Sequence, residues 1–377
     1  MPRYIIDAAH LRKNLEILKC ISDSTGAKIL LAQKAYSCAA TYPLCAKYLN
    51  GTTASSLFEA RHGKENFPGE THIFAPAFDE REINEIFSLV DCIVFNSPRQ
   101  LELYGKAARE KGIEVGLRVN PEVSVATTAA YDPCRASSRL GTTLRNLQDY
   151  ISSGGKALEN LTGLHFHCLC EQGVEELEKV LKGFEEKFSF LLPKMKWVNF
   201  GGGHHITRDD YNREALIALI NDFRARHNNI IVYLEPGEAI ALNAGTLESR
   251  VLEIQPPSPD GIRNVILDTS AACHMPDVIE MPYTPRITGA RIGAEGPYIY
   301  RFGGPTCLAG DEIGTYSFPS SLNVGDTVIF EDMAIYSMVK NNTFNGLNLP
   351  DIAIKRETGE IEILRRFGYS DFAYRLA

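Results

Sequence analysis

The sequence predicts a two-domain fold of the α/β plus β class, in which a (β/α)8 barrel precedes a C-terminal β-sandwich or β-barrel-like domain. Over about 210 residues, eight apolar strand-like segments alternate with helix-like segments, which fits the ~250 residues usual for such a barrel. From residue 245 onward, strand-like segments follow one another without helices between them. A chain of 377 residues is also longer than one typical domain. We therefore assign 8–244 to the barrel, and 245–377 together with 1–7 to the β domain.

Each predicted element rests on its hydrophobic pattern. A strand at 4–6 leads into a helix at 8–21, in which Leu11, Leu15 and Leu18 recur at helical spacing. The barrel strands are predicted at 29–36, 52–55, 72–76, 92–96, 115–120, 163–168, 197–200 and 230–234. Amphipathic helices are predicted at 80–89, 99–111, 174–190 and 209–226. Strands of the β domain are predicted at 247–254, 264–268, 298–302, 327–330 and 333–338, with a hairpin at 352–356 and 360–364. An open doubly wound sheet is the alternative to the barrel, but its glycine fingerprint after the first strand is missing.

The composition excludes several classes of function. A net charge of −8 without a basic stripe argues against a nucleic-acid partner. No apolar run approaches the ~20 residues that span a bilayer, and the N-terminus lacks the features of a signal peptide. Nine scattered cysteines without a CxxC pair suit a reducing cytoplasm, and Cys168 and Cys170 have the wrong spacing for a zinc site. We therefore expect a cytoplasmic protein that does not bind a metal.

One lysine stands out at the end of the first barrel strand. Residues 28–36 have the pattern of a buried apolar strand, and its C-terminal end carries Lys34. Ammonium groups are almost never fully buried without a partner. Lys34 therefore either reaches solvent from the strand end, or it is a nucleophilic amine that forms a Schiff base with a carbonyl group.

Three other strand ends carry polar groups, and the strand ends of a barrel meet at one face. His165 and His167 lie on the same side of the sixth strand; one could stack on an aromatic cofactor, both could bind a metal, or either could be a core histidine. The glycines from Gly201 to Gly203 could bring backbone amides close to a phosphate, or they could form a tight turn. Glu235 could pair with a protonated ring nitrogen or cap the next helix.

The lysine, histidine, triple glycine and glutamate, in this order, resemble the fold-type III pyridoxal-phosphate decarboxylases. That group contains ornithine, arginine and diaminopimelate decarboxylases, with alanine racemase as a relative. The resemblance extends from near the N-terminus to about residue 346. Within the group, four motifs of this chain resemble the carboxynorspermidine/carboxyspermidine decarboxylase branch. They are His-Phe-His-Cys-Leu-Cys-Glu (165–171), Glu-Pro-Gly-Glu-Ala (235–239), Leu-Asp-Thr-Ser-Ala-Ala-Cys-His-Met-Pro-Asp (267–277) and Gly-Gly-Pro-Thr-Cys-Leu-Ala-Gly-Asp (303–311).

The resemblance implies an alanine racemase-like barrel and a carboxy-lyase that depends on pyridoxal 5′-phosphate. The reaction implied is decarboxylation of carboxynorspermidine or carboxyspermidine to norspermidine or spermidine and CO2, a step of polyamine biosynthesis. It also implies a homodimer with shared active sites, to which the second domain contributes Cys307 and Tyr336. Cys307 would donate a proton to the substrate carbon after CO2 leaves. The implied cofactor contacts are Lys34 (Schiff base), His167 (ring stacking), Gly201, Gly202, Gly203 and Tyr336 (phosphate) and Glu235 (pyridine nitrogen).

The chain departs from ornithine-type relatives at positions that bear on the substrate. Those relatives have arginine in place of Glu238, an acidic residue in place of Leu308, and Gly-Ser in place of Leu169-Cys170. This chain therefore lacks the serine that would contact the phosphate. Replacing an arginine by Glu238 favours a more positively charged substrate, such as a carboxylated triamine. The candidate substrate contacts are Glu238, Asp268, His274 and Asp311. Each of them could instead be a structural hydrogen-bond partner.

Three alternatives remain at this stage. A different fold-type III decarboxylase, acting on diaminopimelate or ornithine, is the nearest one. An amino-acid racemase would need proton donors on both faces of the substrate carbon. A regulatory homologue that binds pyridoxal phosphate without catalysis usually lacks the second domain, the lysine or the cysteine, all of which this sequence predicts or contains.

Overall fold

A computed structural model describes residues 1–126 and 128–376, which divide into two compact units. We call Asn14–Ile240 the barrel unit, and Met1–Lys13 with Ala241–Ala377 the β unit. Within the described ranges, no helix has the length and apolar character needed to cross a membrane. The chain begins with strand β1 (Arg3–Asp7) and helix α1 (Ala8–Thr25).

The predicted (β/α)8 barrel is confirmed. Its parallel strands pair in sequence order, and the first strand pairs with the last, where Lys28 is opposite Tyr233. The strands are β2 (Lys28–Ala32), β3 (Gly51–Ala54), β4 (Glu70–Phe74), β5 (Cys92–Phe95), β6 (Glu114–Arg118), β7 (Gly163–His165), β8 (Trp197–Asn199) and β9 (Ile231–Leu234). The first strand is shorter than predicted, because residues 33–35 form a turn.

Helices connect the barrel strands, and several begin at residues with capping side chains. Ser97 Oγ accepts a hydrogen bond from the Gln100 amide at 3.3 Å, with Pro98 in the first helical position. The α-helices are α2 (Tyr42–Cys45), α3 (Leu57–Asn66), α4 (Ile83–Leu89), α5 (Pro98–Glu110), α6 (Leu144–Ser152), α7 (Val174–Phe188), α8 (Arg213–Arg226) and α9 (Glu238–Ala241). Short 3-10 helices occur at Ala39–Thr41, Ala129–Tyr131, Ala157–Asn160 and Ser189–Lys194.

The indole ring of Trp197 fills a large part of the barrel interior. Trp197 on β8 is buried and packs with Leu30, Val94 and Tyr233. Gly163 on the adjacent strand has no side chain, and a Cβ atom there would collide with the Trp197 ring. Gly116, one strand further, is equally restricted, since its Cβ would lie 2.5 Å from the same ring. Two glycines therefore make the space that the tryptophan fills.

A polar network also lies inside the barrel, among β2, β4 and β9. Glu70 accepts hydrogen bonds from Lys28, from His72 Nε2 at 3.0 Å and from the Tyr233 hydroxyl at 2.8 Å. Burial alone would raise the pKa of Glu70, but the hydrogen bonds from His72, Lys28 and Tyr233 outweigh it and bring the pKa to about 2. The half-buried carboxylate is therefore ionised and has hydrogen-bond partners.

Replacing Glu70 with glutamine is expected to reduce the free energy of unfolding by about 1–2 kcal/mol at pH 7, because Lys28 and His72 lose a charged acceptor. The folded-state pKa is lowered, so the stabilisation is present above pH ~4.3, the ordinary carboxyl pKa, and is lost as the pH falls towards about 2. Denaturant unfolding of the wild type and Glu70→Gln at pH 7 and pH 3 measures this difference. The exposed Glu80→Gln is the control. A difference that does not shrink at pH 3 would contradict the assignment.

The β unit confirms the predicted all-β second domain, and its strands form a nine-stranded mixed β-sheet. Its strands hydrogen-bond in the order β12-β14-β13-β11-β10-β1-β16-β17, with β15 also paired to β10. Beyond β1, they are β10 (Gly245–Pro257), β11 (Arg263–Leu267), β12 (Arg291–Ile292), β13 (Tyr298–Gly303), β14 (Glu312–Phe318), β15 (Thr327–Glu331), β16 (Asp351–Lys355) and β17 (Ile361–Arg365). Short helices are α10 (Ala271–His274), α11 (Asp277–Glu280), α12 (Ser337–Lys340) and α13 (Tyr369–Ala373), with a 3-10 turn at Phe344–Gly346.

The strand predicted at 333–338 is wrong. The backbone there turns and enters α12, because Asp332 and Tyr336 have positive φ angles of 58° and 51°. Extended strands require negative φ angles, so these two residues interrupt the pattern that the apolar side chains suggest. β14 and the short helices were not predicted, whereas the hairpin of β16 and β17 is confirmed.

Candidate active site

Lys34 lies in the turn that follows β2, at the C-terminal mouth of the barrel. Hydrogen bonds from the Gln33 amide to Thr53 O and from the Ala35 amide to Ala32 O, both 3.1 Å, fix this turn. The Lys34 side chain is accessible to solvent although protein atoms surround its ammonium group, a combination typical of a side chain that projects into an open cavity. Burial lowers the pKa of Lys34, with a further contribution from Arg118, while Glu235 acts in the opposite direction. A lowered pKa increases the fraction of neutral, nucleophilic amine.

The three glycines after β8 form a loop that other residues could not form. Gly201 and Gly203 have φ angles of 71° and 88°, in the left-handed region that favours glycine. A Cβ at Gly202 would collide with the Glu235 carbonyl oxygen. The amide of Gly201 donates to Asn199 Oδ1 at 2.8 Å, and that of Gly202 donates to His167 Nδ1 at 3.0 Å. Two of the three amides predicted to contact a phosphate are therefore already engaged within the chain.

Glu235 follows β9, and side chains from β7 and β8 contact its carboxylate. Its side chain is only 12 % exposed, at 2.8 Å from Asn199 Nδ2 and 3.3 Å from His165 Nε2. Burial alone would raise the pKa of Glu235, but the charge and hydrogen bond of His165, followed by His72 and Asn199, bring the pKa to about 2. The site therefore presents an ionised carboxylate throughout the neutral pH range.

His167, on the loop after β7, has its ring nitrogen Nδ1 occupied by the Gly202 amide. Burial lowers the pKa of His167 well below its usual value, and Lys34 and Arg118 lower it further. The ring is therefore neutral and carries its proton on Nε2, the tautomer that this hydrogen bond requires.

Arg118, the last residue of β6, is a site residue that the sequence reasoning missed. It is buried, donates to His167 O at 3.0 Å and lies 4.5 Å from the centre of the Phe74 ring. Its position could have indicated it, because Arg118, like Lys34, is a basic residue at the C-terminal end of an apolar barrel strand. The guanidinium adds a permanent positive charge to the electrostatics of this mouth.

Glu238 begins α9, immediately after the Glu235 loop, and pairs with a histidine from the glycine loop. His205 Nε2 lies 3.2 Å from Glu238 Oε2. The sequence predicted Glu238 as a substrate contact but did not predict that it meets His205. The barrel unit therefore gathers Lys34, His167, the glycine loop, Glu235 and Glu238 at the ends of four strands.

The remaining candidates lie in the β unit, where Cys307 is exposed on a fixed loop between β13 and β14. The Cys307 amide donates to Asn345 Oδ1 at 2.8 Å. Asp311 holds the same loop: its carboxylate accepts from Thr306 Oγ1 at 2.6 Å and from Ser270 Oγ at 2.8 Å. Asp311 is 4 % exposed, so the structure favours a role in shaping the Cys307 loop over direct contact with a substrate.

Asp268 and His274 are likewise committed to internal contacts of the β unit. Asp268 Oδ1 accepts from Ser249 Oγ at 2.9 Å and from the Arg250 amide at 2.8 Å. His274 is fully buried, with Nε2 3.0 Å from Asn348 O and Nδ1 3.0 Å from Thr269 Oγ1. That these two residues touch the substrate stays a prediction, and in this structure their polar atoms have protein partners.

Tyr336 has an unusual backbone conformation for an aromatic residue. Its positive φ angle costs about 1–3 kcal/mol, so the surrounding structure must impose it. The Tyr336 carbonyl accepts hydrogen bonds from the amides of Val339 and Lys340, at 3.0 and 2.8 Å, which anchor the residue at the start of α12. The Tyr336 side chain is half-buried.

Comparison with known proteins places this arrangement in a family. The family model described as "Pyridoxal-dependent decarboxylase, C-terminal sheet domain" matches residues 4–334. The chain belongs to the pyridoxal-dependent decarboxylases. As a member, it is a carboxy-lyase whose cofactor is pyridoxal 5′-phosphate.

Two curated relatives of this decarboxylase match over almost their whole lengths. The carboxynorspermidine/carboxyspermidine decarboxylase of Campylobacter jejuni is 41 % identical, over 99 % of this chain and 98 % of the relative. The carboxyaminopropylagmatine decarboxylase of Synechocystis sp. is 40 % identical, over 100 % of this chain and 95 % of the relative. A crystal structure of carboxynorspermidine decarboxylase complexed with norspermidine, from Campylobacter jejuni, has a TM-score of 0.90 and 40 % identity, covering 100 % of this chain and 99 % of that one.

The barrel mouth of this decarboxylase fits its cofactor. The chemistry requires a reactive amine for the aldehyde, a carboxylate for the pyridine nitrogen and backbone that closely approaches a phosphate. Lys34 is accessible to solvent and has a lowered pKa, and Glu235 is ionised. The glycine loop follows a path closed to residues with a Cβ, since Cβ atoms there would collide with the carbonyl oxygens of Phe166, Glu235 and Leu169. In the described part of the chain, no cluster of three or more histidine, cysteine or carboxylate side chains could hold a metal.

Proposed function

We propose that this decarboxylase converts carboxynorspermidine or carboxyspermidine into norspermidine or spermidine and CO2, in polyamine and spermidine biosynthesis. The observation that carries the proposal is the carboxylate of Glu238 at the barrel mouth that bears Lys34. A carboxylate there suits the protonated amines of a carboxytriamine and disfavours the carboxylate end of diaminopimelate. The full-length similarity to the Campylobacter jejuni relative supports the same substrate class.

The residues divide the work by their chemistry. Bound pyridoxal 5′-phosphate supplies an electron sink for the pair of electrons that the departing CO2 leaves on the substrate carbon. Lys34 would hold the aldehyde of the cofactor and would release it to the substrate amine, while ionised Glu235 would keep a proton on the pyridine nitrogen. Neutral His167 supplies a flat ring for stacking, and the Gly203 amide with Tyr336 binds the phosphate. Asp311 orients the Cys307 loop instead of binding substrate.

Cys307 donates the proton that replaces CO2 on the substrate carbon. Its replacement by alanine is expected to lower kcat by about 10²-fold while the bound cofactor and its visible absorbance remain. The measurement is steady-state decarboxylation beside an absorbance spectrum. The exposed Cys20→Ala is the matched control and should behave as wild type. An unchanged kcat in Cys307→Ala would remove the acid role.

A homodimer with shared sites completes the proposal: Cys307 and Tyr336 of one subunit serve the Lys34 of the other. Mixing inactive Lys34→Ala and Cys307→Ala proteins should then restore about a quarter of wild-type activity, because about half of all dimers become mixed and each mixed dimer has one of its two sites intact. No recovery in a mixture that exchanges subunits would contradict site sharing. We also place the enzyme in the cytoplasm, consistent with nine free cysteines.

A substrate panel tests the proposal. Purified protein is assayed for kcat/KM with carboxynorspermidine, carboxyspermidine, carboxyaminopropylagmatine, diaminopimelate and ornithine, and CO2 release from carboxyl-labelled substrate excludes a racemase. We expect the two carboxytriamines to be preferred. Preference for ornithine or diaminopimelate would overturn the proposal, and cofactor binding without any decarboxylation would favour the regulatory alternative.

Carboxyaminopropylagmatine is the second candidate substrate, favoured by the Synechocystis relative at 40 % identity. It presents a planar guanidinium group where the triamines present an ammonium group, and a carboxylate can bind either one. A higher kcat/KM for this compound in the same panel would establish it over the triamines.

A further inference from the structure

The pair formed by His205 and Glu238 links two loops of the barrel mouth. His205 follows the glycine loop after β8, and Glu238 follows β9, the adjacent strand. The imidazole is 7 % exposed and the Glu238 side chain 19 % exposed, with Nε2 and Oε2 3.2 Å apart. Both ring nitrogens of His205 are buried and neither has a hydrogen-bond partner by geometry, so Nε2 meets Glu238 Oε2 at ion-pair distance. The Glu238 carboxylate is thus a charged neighbour of the ring at 3.2 Å.

The adjacent His204 shows what a structural histidine looks like in this loop. Its Nδ1 lies 2.7 Å from the Tyr211 hydroxyl, and burial lowers the pKa of His204 to about 3. His205 behaves oppositely: burial would lower its pKa, but the hydrogen bond and charge of Glu238, with Glu171, raise it above its usual value. Arg208 and His204 are the positive or titratable groups that act against this. The environment of His205 therefore favours the imidazolium form.

The pair belongs to the same part of the mouth as the reactive lysine. Cys170, on the loop after β7, is influenced electrostatically by Glu171 and Glu238 and also by Lys34. Burial, followed by the two carboxylates, raises the pKa of Cys170 to about 11, and Lys34 opposes them. Cys170 is therefore neutral at physiological pH and contributes no charge that could replace Glu238. The charge offered to a cationic substrate here is set by Glu238 and His205.

We propose that His205 is a positioning residue for Glu238 and sets the pH at which that carboxylate is available to a substrate cation. The inference rests on the proposed function, because it needs Glu238 to bind a protonated amine. A protonated His205 cancels the charge of Glu238 and competes with the substrate for Oε2. A neutral His205 leaves a net negative charge that attracts the substrate.

The consequence is a substrate KM that falls as the pH rises. An imidazole with a pKa above the usual ~6.5 is neutral in fewer than about a quarter of molecules at pH 6, so KM should fall at least about threefold between pH 6 and pH 8.5. Most substrate amines stay protonated over this interval. The change should appear in KM far more than in kcat, since His205 acts through Glu238, which binds the substrate, and has no assigned role in the chemical step.

Replacing His205 with glutamine tests the inference in the holoenzyme. Glutamine keeps a neutral N–H donor within reach of Glu238, so His205→Gln should have a low KM at pH 6 and at most half of the wild-type pH dependence. The control is His227→Gln, which removes another histidine paired with a glutamate, Glu185 at 2.7 Å, beyond the end of α8. It should retain the wild-type profile. A His205→Gln profile identical to that of the wild type would overturn the inference.

A second measurement does not depend on turnover. NMR titration of histidine-labelled holoenzyme should give a lower pKa for His205 in Glu238→Gln than in the wild type, and an unchanged pKa would overturn the pairing. Failure of the proposed function is distinguishable, because it appears as the absence of carboxytriamine turnover by the wild type at every pH. If the triamines are turned over and KM is independent of pH, only the His205 inference fails.

Discussion

Replacing Lys34 with alanine is expected to abolish covalent retention of pyridoxal 5′-phosphate and to reduce decarboxylation by at least about 10⁴-fold. The structure gives the physical reason. Lys34 combines access to open space with a surrounding that lowers its pKa, and the turn after β2 fixes its backbone by two hydrogen bonds. The measurements are the visible absorbance of the purified protein, the decarboxylation rate, and mass spectrometry of the Lys34 peptide after borohydride reduction.

Two variants make the Lys34 experiment specific. Lys34→Arg keeps the positive charge but supplies no neutral amine, so it should lose the cofactor linkage as completely as alanine does. The exposed Lys47→Ala should retain both linkage and activity. A reduced cofactor adduct on any other lysine, or substantial turnover by Lys34→Arg, would show that the nucleophile has been assigned wrongly.

Replacing Glu235 with glutamine is expected to lower kcat by about 10³-fold, with the cofactor still bound through Lys34. Glutamine has the same shape, and its carbonyl can still accept from Asn199, but it offers no negative charge to a protonated pyridine nitrogen. The electron sink is then weaker when the carboxylate of the substrate leaves. Steady-state kinetics at saturating substrate measures the loss.

The pH profile offers an independent check on Glu235. Since the pKa of Glu235 is about 2, the carboxylate stays ionised across any ordinary assay, and an acidic limb of the wild-type profile must come from another group. Asn199→Ala removes one hydrogen bond to Glu235 but leaves its charge, so its kcat should fall much less than that of Glu235→Gln. A kcat for Glu235→Gln close to that of the wild type would contradict the pyridine assignment.

Periodicity was sufficient to predict the barrel, because each of its strands is an apolar run bounded by turn residues. It placed Lys34 at the end of the first strand, whereas the residue lies in a turn whose hydrogen bonds to Ala32 and Thr53 no local pattern encodes. The strand expected at 333–338 failed for a related reason. Side-chain hydrophobicity there reports burial, while the positive φ angles of Asp332 and Tyr336 are decided by tertiary contacts.

The site was less predictable than the fold, since sequence order says which loop carries a side chain but not what that side chain meets. The pairing of His205 with Glu238 needs the register of β8 against β9. Similarly, the glycine loop was expected to offer three amides, and only the structure reveals that Asn199 and His167 use two of them. Arg118 was overlooked because an arginine in an apolar strand carries no motif of its own.

The fit of Trp197 against Gly163 and Gly116 has a consequence for sequence change in this enzyme. Adding a methyl group to either glycine demands a smaller residue at 197, and a smaller residue at 197 leaves a void that larger residues at 116 and 163 could refill. The three positions lie on three successive strands, distant in sequence, yet they share one volume. A substitution at one of these positions should therefore be tolerated only together with a compensating change in volume at another. A redesign of this barrel must choose the three residues together.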